Sequence, residues 1–189
     1  MSSPNATNKP LLIIVTGRPA SGKTTLTHIL SREMKYPFLS RDELKEGYIH
    51  TVGIEERNLD HSADLHIYEA FFDAIGLFIS KGISVIAEAA FQHKLWKPKL
   101  LNLSDKAEIK IIICKSNTDL IKTRFMDRLL KDPDRDKFHG DKSLDPEEEG
   151  NLLTGIYEPV NINTPTLEVD TTGHYDPDVQ HIINFIKRL

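Results

Sequence analysis

The chain has little of three features that mark specialised protein classes. One cysteine in 189 residues excludes a disulfide framework. Cys114 lies within an apolar run, where we expect an inert buried thiol. Lys and Arg number 24 against 28 Asp and Glu, and this net charge of −4 argues against a broad basic face for long nucleic acid. No apolar run reaches the length of a membrane-spanning helix, so none is predicted.

The remaining composition is that of one ordinary globular domain. Residues 1–10 are polar and carry no signal-peptide pattern, from which we expect a disordered tail and a cytoplasmic protein. Residues 11–189 suit a single domain with one core. A polar, charged and proline-containing stretch interrupts it, and we expect a closing lid at about 124–150.

Residues 17–24, the phosphate loop, carry the most informative pattern. They read GRPASGKT, which fits Gly-x-x-x-x-Gly-Lys-Ser/Thr at every specified position. In this pattern backbone N–H groups surround a phosphate, Lys23 reaches the terminal phosphates and the Thr24 hydroxyl suits Mg²⁺. The pattern predicts a nucleotide site for ATP, with GTP left open. The expected contacts in the loop are Gly17, Arg18, Pro19, Ala20, Ser21, Gly22, Lys23, Thr24 and Thr25.

Apolar runs and helical spacings alternate along the chain. Strands are predicted at 11–16, 37–39, 83–88, 108–114 and 166–170. A long central helix is predicted from the spacing of Leu65, Tyr68, Phe72, Ile75 and Ile79. This alternation indicates an α/β fold with a parallel sheet covered on both faces by helices.

A phosphate loop alone does not separate a kinase from an ATPase or a GTPase. A kinase also needs a group that positions or deprotonates the acceptor, near the carboxyl ends of the strands. Asp42 follows the second strand and is the candidate base, although Ser40 and Glu43 around it also form a capping box. Glu88 ends the third strand, where a carboxylate would serve Mg²⁺ or contact the acceptor.

Cationic residues cluster before and within the expected lid. Arg124 and Arg128 are four residues apart, so they share a helix face and form a candidate clamp on the transferring phosphoryl group. Surface pairing with neighbouring acids is the alternative. Arg135 is a weaker substrate candidate in the lid, and His139 either meets the substrate on closure or stays solvated.

Together these residues resemble small phosphate-loop kinases related to polynucleotide 5′-kinase, chloramphenicol phosphotransferase and zeta-toxin-like kinases. Polynucleotide kinases carry Asn-Arg-Asp-x-x-Arg after the second strand, and residues 40–45 here read SRDELK. The resemblance implies that Asp42 is the general base and that Lys45 contacts substrate. It implies a three-layer sandwich with a five-stranded sheet of order 2-3-1-4-5. It matches Arg124 and Arg128 to the family's two lid-helix arginines, with Arg124 also expected to contact the nucleotide, and it implies that Asp170, Thr171 and Thr172 flank the adenine.

Two departures from the family pattern bear on the acceptor. The stretch after Glu88 lacks the amide that relatives often carry two residues later, and a lysine at position 45 replaces a bidentate arginine. The missing amide leaves the identity of the acceptor open. The lysine and the overall acidity favour a small hydroxylated molecule or mononucleotide over a nucleic-acid end, in a pocket that includes Phe91. The prediction is an ATP- and Mg²⁺-dependent kinase. A regulatory ATP-binding module and a polynucleotide 5′-kinase remain as alternatives.

Overall fold

The strands of the computed structural model form one parallel sheet. The model describes residues 9–54, 58–132, 136–139 and 157–188. The strands are β1 (Leu11–Gly17), β2 (Phe38–Ser40), β3 (Val85–Glu88), β4 (Glu108–Lys115) and β5 (Thr166–Asp170). Their order is β2-β3-β1-β4-β5, and all four neighbouring pairs are parallel. The predicted fold class and strand order are therefore confirmed.

Helices connect the strands and follow β5. They are α1 (Lys23–Met34), α2 (Arg41–Val52), α3 (His61–Ser80), α4 (His93–Ser104), α5 (Thr118–Lys131), α6 (Asp136–His139) and α7 (Val179–Lys187). Each parallel crossover carries the chain back across the sheet, so β1, β2 and β3 all end at the same edge as β4 and β5. Every loop that leaves a strand's carboxyl end therefore opens onto that edge.

Two apolar layers cover the sheet. One face packs against α3 and α4, with Phe71, Ile75 and Trp96 in the core, and the other packs against α1 and α7, with Leu30 and Ile183 in the core. The strands are buried on both faces, which accounts for their continuous apolar runs.

Three sequence expectations need correction in detail. Leu65 is 50% exposed, because it lies two residues and roughly 200° around α3 from the buried Ile67. The third strand begins at Val85 and not at Ile83, and the side chain of Ser84 before it accepts a hydrogen bond from the Leu11 N–H at 3.0 Å. Helix α4 was not predicted, and it carries Pro98 in its interior, a residue that usually argues against a helix.

Much of the expected tail and lid falls outside the described residues. Of the tail, residues 1–8 lie outside them, as do 133–135 and 140–150 of the lid. The beginning of the expected lid is the second half of α5, and residues 136–139 form α6 against α2. Within the part of the chain that the structure describes, no helix is long and apolar enough to cross a membrane.

Candidate active site

The phosphate loop joins the end of β1 to the start of α1. Gly17 has no room for a side chain, because a Cβ there would lie 2.4 Å from the Cys114 carbonyl oxygen. Gly22 has a φ of +84°, and a Cβ on it would lie 3.2 Å from Thr171 Oγ1. Left-handed backbone of this kind favours glycine. Both glycines of the motif are therefore required by the fold around the loop. Helix α1 begins at Lys23, directly after Gly22, with its free N–H groups toward the loop.

Lys23 folds back across the loop. Its Nζ donates a hydrogen bond to the Arg18 carbonyl oxygen at 2.9 Å and lies 4.0 Å from Glu88 Oε1. Only 10% of its side chain is exposed. The ammonium is thus held at the loop, between backbone oxygen and a buried carboxylate.

Glu88 is an almost fully buried acid at the carboxyl end of β3. It is 2% exposed, and the register of the sheet places it beside Val15 of β1 and Ser40 of β2. Burial raises the pKa of the Glu88 carboxyl, and the nearby charge of Asp42 acts in the same direction. Lys23 and the Ser40 hydrogen bond lower this pKa without cancelling the effect of burial.

Ser40 has a second role beside the helix cap that the sequence predicted. Its Oγ accepts a long hydrogen bond from the Glu43 N–H at 3.5 Å, as the cap of α2. The same hydroxyl donates to Glu88 Oε2 at 2.9 Å in a buried contact. One oxygen of Glu88 is therefore fixed by Ser40, and the other faces Lys23. Sequence reasoning missed this contact because the two residues are 48 positions apart.

A cavity of about 240 Å³ opens beside the loop. Its lining combines loop residues, the first residues of α2, the chain after β3, and residues of α5 and α6. These are Pro19, Ala20, Gly22, Lys23, Thr24, Arg41, Asp42, Ala90, Phe125, Arg128 and His139. The structure thus brings together Lys23, Thr24, Asp42 and Arg128, which the sequence had placed at distant positions.

Arg124 and Arg128 face different neighbours. Arg128 lines the cavity. Arg124 donates from NH2 to the Thr171 carbonyl oxygen at 2.7 Å and from NH1 to Ser116 Oγ at 3.4 Å. The pair predicted as one clamp is divided in this structure between the cavity and the chain after β5.

The first residues after β5 hydrogen-bond to the phosphate loop and stabilise it. Thr171 is 4% exposed, and its Oγ1 donates to the Ser21 carbonyl oxygen at 2.8 Å. Asp170 is exposed and accepts a hydrogen bond from the Thr172 N–H, and hydrogen bonds with Thr172 lower its pKa. The Thr171 hydroxyl is therefore engaged with the protein, as is that of Thr172, which accepts from the Asn117 N–H at 3.1 Å, whereas Asp170 remains exposed.

Phe91, expected to line the acceptor pocket, lies in the core. Its side chain is fully buried, with its ring 4.6 Å from that of Trp96 between centroids. With no exposed surface, the Phe91 side chain does not line the described cavity. Lys45 does not line the described cavity either. Arg135 lies outside the described residues.

Two contacts near the site had no sequence signal. Tyr157 OH and Thr16 Oγ1 are 2.7 Å apart, and Thr16 Oγ1 also accepts a hydrogen bond from the Phe91 N–H. Burial raises the pKa of the Tyr157 phenol, which stays protonated and able to hydrogen-bond. His139 Nε2 lies 2.7 Å from Glu46 Oε1, and this contact holds α6 against α2 at the cavity.

Comparison with known proteins agrees with this geometry. A family model described as an AAA domain matches residues 12–143. The chain belongs to this family of P-loop kinases. It is accordingly an ATP-dependent phosphotransferase of the kinase class, as the sequence predicted.

Similar proteins cover nearly the whole kinase chain. A protein of Thermococcus kodakarensis named "Putative adenylate kinase" is 29% identical over 181 residues, or 94% of this chain and 86% of that protein. A crystal structure of a "putative kinase" from Chloroflexus aurantiacus has a TM-score of 0.80 and 26% identity, with 96% of each chain covered. The APS kinase of Mycobacterium tuberculosis, solved with AMPPNP and APS, has a TM-score of 0.66 and 12% identity, covering 96% of this chain and 100% of its own. This last likeness concerns the fold.

Proposed function

We propose that this kinase transfers the γ-phosphoryl group of ATP to a hydroxyl of a small molecule or mononucleotide, with Asp42 as the general base. The observation that carries the proposal is the shared cavity. Asp42 is on its wall together with Lys23 and Thr24 of the phosphate loop and Arg128 of α5. A base for the acceptor and ligands for the phosphates therefore meet in one space, as phosphoryl transfer requires.

The residues present suit Mg²⁺ beside the nucleotide. Thr24 offers a hydroxyl oxygen on the cavity wall. Glu88 offers a carboxylate whose Oε1 lies 4.0 Å from the Lys23 Nζ. Oxygen ligands of this kind are the ones that Mg²⁺ prefers, and a carboxylate commonly holds one of its waters. Bound there, Mg²⁺ would neutralise charge on the β- and γ-phosphates.

The chain's own residues account for the transfer step. The acceptor oxygen forms a bond to the γ-phosphorus while the bond from that phosphorus to the β–γ bridging oxygen breaks, and ADP leaves with the electron pair. Asp42 takes the proton of the acceptor hydroxyl. Lys23 and Arg128 stabilise the charge on the transferred oxygens, since cations already fixed in place act without reorganisation.

The names of similar proteins support this class of acceptor. The Thermococcus kodakarensis protein is named for adenylate, and the solved Mycobacterium tuberculosis kinase holds APS. Both names refer to small nucleotides rather than to nucleic-acid chains. These two names are consistent with a small-molecule acceptor, and they leave the polynucleotide 5′-kinase alternative to be decided by experiment.

Replacing Asp42 with Asn tests the proposed base. We expect kcat to fall by about 10²-fold or more, the usual contribution of a general base, with affinity for Mg²⁺ and a non-hydrolysable ATP analogue unchanged. Phosphoryl transfer to a panel of hydroxylated small molecules and mononucleotides measures kcat, and calorimetry measures the affinity. Asp73→Asn, an exposed position on α3, is the matched control. Full turnover by Asp42→Asn would show that Asp42 is not the base.

A further inference from the structure

Arg41 is a cationic residue that lines the cavity, and the family motif described above gives it no role. It is the first residue of α2, directly after Ser40 at the carboxyl end of β2. This position places it beside Asp42, and both residues line the cavity next to Lys23 and Thr24. Arg41 therefore shares the space in which an acceptor would approach the base.

The guanidinium of Arg41 has donor capacity that the described protein does not use. Its NH2 donates to Asp64 Oδ1 at 3.0 Å, while its Nε is buried and has no hydrogen-bond partner among the described residues. A guanidinium carries five N–H donors and accepts none. A buried donor without a partner costs free energy, and such a group in a native structure calls for an explanation.

Asp64 holds the Arg41 side chain in place. The ion pair joins α3 to the start of α2, and only 22% of the Arg41 side chain is exposed. A guanidinium anchored on one side loses less conformational entropy when a ligand binds its other donors. The arrangement is therefore preorganised for a ligand that accepts hydrogen bonds.

The charges around the cavity select an anion. Lys23, Arg41 and Arg128 line it, and Asp42 is the carboxylate among the described lining residues. When the γ-phosphate occupies Lys23, the guanidinium of Arg41, paired with Asp64 through NH2 only, remains next to the base with donors for an anion. A planar guanidinium pairs with carboxylate, phosphate and sulfate oxygens through parallel hydrogen bonds.

We propose that Arg41 binds an anionic group carried by the phosphoryl acceptor and so holds the acceptor hydroxyl at Asp42. This deepens the proposed function and rests on it for the identity of the bound molecule as an acceptor. The acceptor class narrows to hydroxylated molecules that carry a phosphate, sulfate or carboxylate.

Binding of a simple anion tests the site without any acceptor. The phosphate loop of the full chain is first saturated with Mg²⁺ and adenylyl imidodiphosphate. Inorganic sulfate is then titrated by calorimetry, with chloride at matched ionic strength as the blank. We expect one sulfate site in the wild type, weakened at least tenfold in Arg41→Ala and less in Arg41→Lys. Arg32→Ala is the control, because Arg32 is an exposed arginine of α1 paired with Glu33.

Turnover of matched acceptors gives a second readout. The pairs AMP and adenosine, and gluconate and glucose, differ in an anionic group. We expect the wild type to prefer the anionic member of the pair that it phosphorylates. In Arg41→Ala the KM of that acceptor should rise at least tenfold, while the KM of ATP stays within twofold.

The outcomes separate this inference from the proposed function. Absence of a sulfate site in the wild type, or equal sulfate binding by Arg41→Ala, overturns it. So does a preference for uncharged acceptors, or a loss of affinity for ATP in Arg41→Ala as large as the loss for the acceptor. Arg41-dependent sulfate binding without phosphorylation of any acceptor supports the anion site and contradicts only the proposed reaction.

Discussion

At the scale of a single residue, Glu88 is subject to two opposing requirements, burial and a negative charge. Its carboxylate is buried at 2% exposure, where desolvation disfavours the charged form. The proposed metal role requires that charged form. Ser40 and Lys23 lie at its two oxygens and partly offset the burial. Such a residue is expected to lower the stability of the empty enzyme while serving the loaded one.

The variant Glu88→Gln should reveal this cost as a difference in the free energy of unfolding that changes with pH. The pKa of Glu88 is raised in the folded state, so its contribution to stability is fully present below the unfolded pKa and is lost as pH rises through the folded pKa. Glutamine does not titrate. The free energy of unfolding of Glu88→Gln, relative to the wild type, should therefore rise between pH 4 and pH 8. Urea unfolding across this range measures it in the absence of nucleotide.

Ser40→Ala provides the opposing test of the same contact. It removes a donor that lowers the pKa of Glu88, so the loss of stability toward neutral pH should be larger than in the wild type. Asp178→Ala removes the cap of α7 without touching the site, and it controls for the lost cap of α2. Parallel pH curves for Ser40→Ala and the wild type would contradict the assigned contact.

At the scale of a secondary-structure element, a buried lysine holds the end of helix α7 against the sheet. Lys110 of β4 is 2% exposed, and its Nζ donates to the Ile186 carbonyl oxygen at 2.8 Å and also to the Arg188 carbonyl oxygen. Glu108 lies 3.0 Å from the same ammonium. The last carbonyls of a helix lack partners within it and carry partial negative charge. Lys110 thus fastens the end of α7 to the sheet.

Lys110→Met should destabilise the protein, because it leaves those carbonyls and Glu108 without their cation. We expect a loss of about 1–3 kcal/mol in the free energy of unfolding, the usual cost of leaving a buried polar group without its hydrogen-bond partner. Equilibrium urea unfolding measures it. Lys187→Met, an exposed lysine in the last turn of α7, is the matched control. Equal effects of the two changes would show that charge near the helix end, rather than the buried contact, matters.

At the scale of the whole molecule, the rate at which a reagent labels the one cysteine reports how often the fold opens. Cys114 is 2% exposed, and burial raises the pKa of its thiol to about 12. The thiolate is the reactive form, so the native thiol should resist disulfide reagents at pH 8. In the sheet Cys114 pairs with Gly17 of the phosphate loop. Its exposure therefore requires the strands that carry the nucleotide site to separate.

ATP with Mg²⁺ should slow the labelling of Cys114 by a thiol reagent. A ligand at 100 times its Kd lowers the population of the open form by about 100-fold, provided that it binds the native state only. The labelling rate with and without nucleotide measures this, and rapid labelling in denaturant is the reference. Lys23→Met, which removes a phosphate contact, should abolish the protection. Fast labelling that is indifferent to ATP would contradict the buried environment of the thiol.

The phosphate loop and the fold class follow from contiguous residues. Residues 17–24 carry their own backbone requirements, and the apolar runs around them specify buried parallel strands, so both were predictable from the chain alone. The strand order came from the family resemblance and is confirmed. The roles assigned to individual site residues stay predictions until the variants are measured.

Only the tertiary structure decided what surrounds the loop. The register of β2 against β3 places Ser40 on Glu88, and the chain after β5 places Thr171 on Ser21, 150 residues away. It also divided Arg124 from Arg128 and buried Phe91 in the core. The sequence by itself determined how this chain holds phosphates, because the groups that bind them belong to consecutive residues of one loop. Packing decided what faces the acceptor, because those side chains meet only when distant strands and helices come together.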